Sequence, residues 1–277
     1  MDGPGVIAPP HAKIRVEGVV KTYAADRAVA RTTALQDVSL HLGEGELVCL
    51  LGPSGCGKST VLNLIAGFER PEFGAVTVDG RPVERPGPDR AVVFQQPQLF
   101  PWLNVLDNVT FGPRMAGVPA ARYREDAARY LRLVGLTGFE RHAPYELSGG
   151  MRQRVALARA WIANPAVLLM DEPFAALDAQ TRLTMQELLL DLRRATGTTI
   201  LFVTHDIDEA LFLADRVLVM TARPGRIKAE VAVPRAAVRD FDSLFDDPAM
   251  AQRRHDLVAL VREEARKAAP QPHPETP

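Results

Sequence analysis

The sequence predicts an α/β protein in which a mostly parallel sheet is covered by helices, and three observations support this. Short, continuous apolar runs alternate along the chain with segments of helical periodicity, an arrangement typical of parallel sheets. One of these runs leads directly into a glycine-rich loop that a helix follows. The stretch from about Leu103 to Trp161 is instead mainly helical, and we predict a helical subdomain, at about 97–161, inserted into the α/β core.

Local signals set the bounds of the individual elements. The predicted strands are the apolar runs Leu47–Leu51, Ala75–Val78, Ala91–Phe94, Val167–Met170, Ile200–Val203 and Val217–Met220. The predicted helices are Lys58–Ala66, which Gly67 ends, a helix between Pro119 and Gly135, and the amphipathic segment Pro248–Lys267. Arg223–Arg226 is predicted to be a turn between two strands because it contains a Pro-Gly pair.

Composition narrows the class of protein. The 277 residues include 33 Lys and Arg against 34 Asp and Glu, so the chain lacks the basic excess of a nucleic-acid-binding protein, and no nucleic-acid partner is expected. Two cysteines give no disulfide framework and fit a reducing cytoplasm. No apolar run approaches the roughly 20 residues that span a bilayer, and the N-terminus does not match a signal peptide. Any membrane role therefore requires a partner.

A glycine-rich motif follows the first buried strand. It matches the pattern G-x-x-x-x-G-K-[ST], is called the phosphate loop below, and consists of Gly52, Pro53, Ser54, Gly55, Cys56, Gly57, Lys58 and Ser59. Its glycines let successive backbone N–H groups converge on phosphate oxygens, and the following helix N-terminus adds positive potential. We expect Lys58 to neutralise the β- and γ-phosphates of a nucleotide and the Ser59 hydroxyl to bind Mg²⁺.

Two carboxylates follow another buried strand. Asp171 and Glu172 come directly after Val167–Met170, at the end of a parallel strand where open α/β sheets bind ligands. We expect Asp171 to hold Mg²⁺, directly or through water, and Glu172 to position the water that attacks the γ-phosphate. Such a pair is also common as a simple helix cap. We therefore assign it this role only in combination with the phosphate loop.

A third motif, Leu147–Arg154, reads Leu-Ser-Gly-Gly-Met-Arg-Gln-Arg and is called the signature segment below. It closely resembles the LSGGQ signature of the ABC ATPases, with methionine where glutamine is usual. The resemblance extends from about Ile14 to Met220, with every expected motif in order. It implies a P-loop NTPase (RecA-like) core with an N-terminal antiparallel β subdomain and the inserted helical subdomain.

The resemblance also implies that the chain hydrolyses ATP with Mg²⁺ as a homodimer. In that family each ATP lies between the phosphate loop of one subunit and the signature segment of the other, and closure of the dimer is driven by ATP. Ser148, Gly149 and Gly150 lie at a predicted helix start, where a hydroxyl and backbone donors suit a γ-phosphate.

Other positions match family residues one at a time. Gln95 matches the glutamine that senses Mg²⁺ and the attacking water, and His205 matches the histidine that contacts the γ-phosphate. Asp178 matches the aspartate of the family's loop that couples the two ATP sites. Tyr23 matches the aromatic residue that stacks on adenine, and Thr60 extends the nucleotide-contacting residues of the phosphate loop.

Within the family, the segments Gly87–Arg90, Phe94–Trp102 and Ala222–Arg226 resemble the ATPases of nitrate, sulfonate and taurine importers. This implies integral-membrane permease subunits as partners, a solute-binding protein as an indirect partner, and a peripheral location on the cytoplasmic face of the cell (inner) membrane. We expect the aromatic residues of Pro97–Asn104 to be exposed and to form a groove for a permease helix. The alternative is that they anchor the helical subdomain internally.

We predict that the chain divides into four parts, with ends that are rich in proline and poor in apolar periodicity. They are a disordered N-terminus (1–11), an ATPase domain (12–235, with the helical subdomain at about 97–161), a C-terminal helical extension (236–269) and a disordered tail (270–277).

Three other functions share some of these features. An exporter ATPase has the same catalytic residues, and only the importer-like segments argue against it. An ABC ATPase that acts in DNA repair carries long coiled coils, and one that acts in translation usually contains two cassettes in one chain. Neither feature is evident in this sequence. A non-enzymatic scaffold has no need of Glu172 and His205.

Cys56 has a special position inside the phosphate loop, near Lys58 and a helix N-terminus. Both neighbours lower the pKa of a thiol. We therefore expect a thiol reagent to inactivate the enzyme and ATP to protect it. The alternative is an inert small residue.

Overall fold

The computed structural model describes residues 12–24, 31–234, 241, 244 and 246–268. They belong to two units: Met1–Gly43, Leu47–Glu84 and Val203–Pro277 form the first, and Glu44–Glu46 and Arg85–Phe202 form the second. The two ends predicted to be disordered lie outside the described residues. In the part of the chain that is described, no helix combines the length and the apolar character needed to cross a bilayer.

Strands and helices alternate along most of the chain. In chain order the elements are β1 (Ile14–Ala24), β2 (Arg31–Leu42), β3 (Leu47–Leu51), α1 (Lys58–Ala66), β4 (Phe73–Val78), β5 (Arg81–Pro82), β6 (Arg90–Val93), α2 (Val105–Met115), α3 (Ala120–Leu133), a 3-10 helix (Pro144–Glu146), α4 (Gly149–Trp161), β7 (Val167–Asp171), α5 (Ala179–Thr196), β8 (Thr199–Thr204), α6 (Ile207–Leu213), β9 (Arg216–Met220), β10 (Ile227–Ala232) and α7 (Pro248–Ala268). The predicted strands and helices are confirmed, and the differences are confined to their ends.

An antiparallel sheet forms the N-terminal part of the first unit, with strand order β2-β1-β4-β5. Asp79 and Gly80, both with positive φ, connect β4 to β5 in the tight hairpin that an Asp-Gly pair favours. This sheet is the predicted antiparallel β subdomain.

The first unit also contains β3, in which every residue is buried. β3 pairs with β9 in parallel, and β9 pairs with β10 antiparallel. The continuous apolar sequence of β3 suits a strand that has no solvent-facing side. Its carboxyl end continues into the phosphate loop, whose position is therefore set by the best-buried strand of this unit.

In the second unit β6 pairs with β7 in parallel, and β8 lies on the other side of β7. Helices α2, α3 and α4 come between β6 and β7 in the chain, where a helical subdomain is predicted. Trp161 at the end of α4 is fully buried, and its indole N–H donates to Thr196 Oγ1 of α5 (3.4 Å). This hydrogen bond links α4, the helix of the signature segment, to α5.

Candidate active site

The phosphate loop leads from β3 into α1 within the first unit. Lys58 is the first residue of α1, and its side chain folds back into the loop. The Lys58 ammonium donates to the carbonyl oxygens of Gly52 (2.8 Å) and Pro53 (3.1 Å), and the residue is buried. The loop thus holds a positive charge against its own backbone, beside the N–H groups at the start of a helix.

Two glycines of the loop adopt left-handed backbone conformations, with φ of 75° at Gly55 and 108° at Gly57. A Cβ atom on Gly57 would lie 2.6 Å from Leu35 Cδ2 and 3.1 Å from the Ala34 carbonyl oxygen, both in β2. Glycine is required at Gly57 both for its conformation and for the close approach of β2.

The expected low pKa of Cys56 is wrong. The residue is only 1% exposed, and this burial raises the pKa of the thiol above its ordinary value, outweighing the opposite effects of Lys58 and Arg223. The sequence reveals the nearby charge and the helix end but not the loss of solvent, which disfavours a thiolate. The Cys56 thiol is therefore protonated at neutral pH.

Tyr23 lies near the end of β1, where its hydroxyl donates to the Glu69 carboxylate (2.6 Å) and lies 3.4 Å from Thr60 Oγ1. Burial and the bond to Glu69 raise the pKa of its phenol, so it remains neutral. The residue is 39% exposed, which leaves part of the ring open to a planar group. The structure thus brings Tyr23 next to Thr60, the residue that follows the phosphate loop.

His205 lies directly after β8 and is exposed to solvent. The Asp206 N–H donates to Thr204 Oγ1 (3.0 Å), and the Thr204 hydroxyl donates to Glu209 (2.5 Å). Asp206 in turn caps α6 by accepting from the N–H of Glu209 (3.1 Å). His205 is thereby held on a short, well-bonded connection between a buried strand and a helix.

Gln95, Asp171 and Glu172 lie at one edge of the second unit. Since β6 and β7 run in parallel with Val93 opposite Met170, Asp171 at the end of β7 and the residues just after both strands share the carboxyl edge of the sheet. Glu172 has a φ of 45°, a conformation that non-glycine residues rarely adopt and that occurs preferentially at functional sites.

The donor groups at this edge suit Mg²⁺. Gln95 and Asp171 offer an amide and a carboxylate oxygen, ligand types that Mg²⁺ accepts. In the first unit, Ser59 is the second residue of α1 and separately offers a hydroxyl. Among the described residues, no three His, Cys, Asp or Glu side chains converge into a metal-binding cluster. An ion held largely by phosphate oxygens and water does not need one, so the residues fit the predicted ion.

The signature segment begins a helix, as predicted. Ser148 caps α4, its Oγ accepting from the Met151 N–H (3.2 Å). A Cβ on Gly150 would lie 2.8 Å from Thr181 Cγ2, and the Thr181 N–H donates to Asp178, which caps α5 (3.0 Å). The structure therefore brings the signature segment and Asp178 together at two adjoining helix N-termini.

The segment Pro97–Asn104 combines the two alternatives for its aromatic residues. Trp102 is 75% exposed, as a partner-binding residue requires. Phe100 instead packs inward, with its ring centroid 4.5 Å from that of Phe111. The buried side chain of Asn108 bonds to both backbone groups of Phe100, accepting from its N–H (2.8 Å) and donating to its carbonyl (3.1 Å). One aromatic residue anchors the segment while another projects from it.

Arg159 is a residue that the sequence analysis missed. From α4 it donates to the carbonyl oxygens of Pro97 (3.0 Å) and Gln98 (2.9 Å), and its guanidinium lies 5.7 Å from the Phe100 ring centroid. Burial lowers its pKa. The sequence feature that could have revealed this role is a single arginine within an otherwise buried apolar stretch of α4. Arg159 links the helix of the signature segment to Pro97–Asn104.

Comparisons with known proteins agree on one family. Residues 35–175 match the family model described as ABC transporter. The taurine import ATP-binding protein TauB of Burkholderia pseudomallei (strain 1710b) is 55% identical over 257 residues, which cover 91% of this chain and 98% of the relative. The uncharacterized ABC transporter ATP-binding protein MJ0412 of Methanocaldococcus jannaschii is 45% identical, over 92% of this chain and 94% of that protein.

A solved structure supports the same assignment. The ATP-binding cassette MJ0796, in a dimeric post-hydrolysis state bound to ADP and Pi, is similar with a TM-score of 0.71 and 33% identity. The similarity covers 80% of this chain and the whole of the other. The predicted P-loop NTPase core with its antiparallel β subdomain and inserted helices is thereby confirmed.

The raised pKa of Cys56 predicts a slow reaction with thiol reagents at neutral pH. We expect iodoacetamide to modify Cys56 at least about tenfold more slowly than a free cysteine, because burial suppresses the reactive thiolate. The rate at which iodoacetamide modifies Cys56 is expected to keep increasing above the pH at which the modification rate of a free cysteine becomes constant. Peptide mapping by mass spectrometry distinguishes Cys56 from the other buried cysteine, Cys49. Fast modification at neutral pH in the folded protein would contradict this prediction.

Proposed function

This chain belongs to the ABC transporter family, and from that premise we propose that it is the ATP-hydrolysing subunit of an importer for a small anion of the nitrate, sulfonate or taurine type. Membership of the family makes the chain an ATPase. Relatives named as taurine import ATP-binding proteins, 47% to 55% identical, favour import over export and a sulfonate over nitrate. The ATPase part of the proposal rests on the buried Lys58 against the carbonyls of the phosphate loop, and the import part rests on these relatives.

ATP binds with its phosphates along the phosphate loop. The N–H groups from Gly55 to Thr60 donate hydrogen bonds to the phosphate oxygens, and the positive end of α1 attracts their negative charge. The Lys58 ammonium exchanges its bonds to loop carbonyls for bonds to the β- and γ-phosphates. Adenine stacks on the exposed part of the Tyr23 ring, whose hydroxyl is fixed by Glu69.

Ser59, Gln95 and Asp171 supply the protein's oxygen donors for Mg²⁺. When bound, the ion neutralises negative charge on the β- and γ-phosphates. Asp171 ends β7 and Gln95 lies two residues after β6, and the pairing of these two strands fixes their register. Their spacing is therefore set by the sheet, which favours a defined ion position over a loose electrostatic contact.

Glu172 orients and polarises the water that attacks the γ-phosphate, and His205 donates a hydrogen bond to a γ-phosphate oxygen. Phosphoryl transfer requires little covalent chemistry from the protein, so most of the rate acceleration comes from positioned donors and charges. The left-handed backbone of Glu172 and the bonded connection around His205 hold both groups in fixed places.

Two copies of the chain face each other head to tail, so that Ser148, Gly149 and Gly150 of one subunit complete the ATP site of the other. The N-terminus of α4 offers backbone donors and positive potential to the γ-phosphate. Asp178, which adjoins the signature segment, couples the two sites. ATP drives closure because it binds the closed pair more tightly than the open one, and hydrolysis lets the pair reopen.

The permease subunits bind at Pro97–Asn104, which places the chain on the cytoplasmic face of the cell membrane. Exposed aromatic side chains such as Trp102 are typical anchors of protein interfaces. Arg159 connects this segment to α4, so movement of the signature segment is passed to the membrane subunits. A solute-binding protein acts on the permease and meets this chain only indirectly.

Replacing Glu172 by glutamine tests the catalytic assignment. We expect Glu172→Gln to bind ATP, to hydrolyse it at least about a hundredfold more slowly than wild type, and to accumulate as a dimer with Mg-ATP. Turnover and size are measured for each protein with and without Mg-ATP. Glu187→Gln, which changes an exposed carboxylate on α5, is the control. Wild-type turnover by Glu172→Gln would show that the assignment is wrong.

Replacing Trp102 by alanine tests the permease contact. We expect Trp102→Ala to weaken binding to the permease subunits by about tenfold or more, because it removes an exposed aromatic anchor. ATP hydrolysis by the isolated chain should not change. Phe73→Ala, which removes an aromatic residue of similar exposure from the antiparallel sheet, is the matched control. Co-purification with the permease at wild-type affinity would contradict the proposed contact.

A further inference from the structure

The C-terminal helix α7 contains a buried carboxylate on an otherwise apolar stripe. Its buried residues are Met250, Leu257 and Glu264, which recur at every seventh position. Glu264 is only 1% exposed, and burial of a charge is unfavourable unless it is well paired. An apolar residue would complete the stripe more simply, so the packing of α7 does not explain Glu264.

The two oxygens of Glu264 have different partners. Oε2 accepts from the backbone N–H of Ala222 (2.9 Å), while Oε1 accepts from Lys228 (2.7 Å) and Lys267 (2.8 Å). Burial by itself would raise the pKa of this carboxyl, but the three hydrogen bonds lower it to about 2. Glu264 is therefore ionised at physiological pH and holds Ala222 with a charge-assisted bond.

Ala222 belongs to a closed turn between β9 and β10, called the 221–226 turn here. The Thr221 N–H donates to the Arg226 carbonyl and the Arg226 N–H donates to Thr221 Oγ1, both at 2.9 Å. The Thr221 hydroxyl donates to the carbonyl of Pro224 (3.0 Å). Because these bonds close the turn on itself, fixing Ala222 from α7 fixes the turn as a whole.

The 221–226 turn lies against the phosphate loop. Arg223 Nε donates to the carbonyl oxygen of Gly55 (3.2 Å). Gly225 approaches the loop so closely that a Cβ on it would lie 2.1 Å from the Cys56 carbonyl oxygen. The Gly225 N–H also donates to Ala34 of β2 (2.8 Å). The turn thus contacts two successive carbonyl groups of the phosphate loop while it is itself bonded to β2.

These carbonyl contacts determine where the N–H groups of the loop point. In a trans peptide the C=O and N–H groups point in opposite directions. Contacts on the Gly55 and Cys56 carbonyls therefore direct the N–H groups of Cys56 and Gly57 away from the 221–226 turn. The Cys56 N–H accordingly faces back across the loop towards the Pro53 carbonyl (3.3 Å). The Lys58 ammonium bonds to the same Pro53 carbonyl (3.1 Å), so the Cys56 N–H lies on the side of the loop that carries the positive charge, where phosphate oxygens would accept hydrogen bonds.

We propose that Glu264 is a positioning residue for nucleotide binding: it holds the 221–226 turn against the phosphate loop, and the turn presents the N–H groups of Cys56 and Gly57 to the phosphates. This inference rests on the proposed role of the phosphate loop as the ATP site. It assigns α7 a role in ATP affinity through contacts that lie entirely within the first unit.

The first test compares Glu264 with its neighbour. Glu263 pairs with the same two lysines, Lys228 (2.6 Å) and Lys267 (2.7 Å), but is not bonded to Ala222. We expect Glu264→Ala to raise the Kd for Mg-ATP and the KM by about tenfold with little change in kcat, because the charge-assisted bond that holds Ala222 is lost together with the two lysine bonds. Glu264→Gln, which keeps an acceptor for the Ala222 N–H, is expected to have a smaller effect, and Glu263→Gln none.

A double-mutant cycle with Arg223→Ala separates positioning from general stability. If Glu264 acts through the 221–226 turn, the effects of Glu264→Ala and Arg223→Ala on log Kd are less than additive. If Glu264→Ala does not fold, Glu264→Gln takes its place in the cycle. Additive effects, or an unchanged Kd in folded Glu264 variants, would overturn the proposal.

The wild type and Lys58→Ala distinguish this inference from the proposed function. Calorimetric titration with Mg-ATP is made on the full chain in each case, with the unfolding temperature recorded alongside. If the wild type does not bind Mg-ATP, the proposed function itself fails. If the wild type binds and Lys58→Ala does not, but the Glu264 and Arg223 variants bind like wild type, only the positioning role is overturned.

Discussion

Close contact between backbone segments around the phosphate loop is the constraint on which the candidate site depends. Gly57 lies against Leu35 of β2, and Gly225 lies against the Cys56 carbonyl, with no room for a Cβ at either glycine. Stretches far apart in the chain must therefore meet before the loop has its shape. Since interiors are close-packed and do not deform continuously, the shape of the candidate nucleotide site depends on the tertiary structure and not on the sequence motif alone.

The remaining residues of the proposed site lie at the ends of regular elements. Asp171 ends a strand, Gln95 and His205 lie just after one, and Ser148 and Asp178 each cap a helix. Strand ends fix the spacing of side chains, and helix N-termini supply N–H groups and positive potential. Both suit phosphoryl transfer, in which the protein acts through position and electrostatics.

Local sequence signals were sufficient for much of the fold and for naming candidate residues. β3 and α1 have the predicted bounds because an unbroken apolar run defines the strand and Gly67, with a φ of 80°, ends the helix. Properties that depend on distant neighbours could not be predicted. The pKa of Cys56 is set by burial, and the contact of Arg223 with Gly55 joins residues 168 positions apart, which no local pattern reveals.

The most direct test of the account is complementation between two inactive variants. Lys58→Ala removes the charge of the phosphate loop, and Ser148→Arg places a bulky side chain at the start of α4. In a head-to-tail pair, a mixed dimer has one site with both components intact. An equal mixture should therefore recover about a quarter of wild-type ATP hydrolysis, although neither variant is active alone. A mixture that forms mixed dimers but stays inactive would contradict the proposal that each ATP site is shared between two subunits.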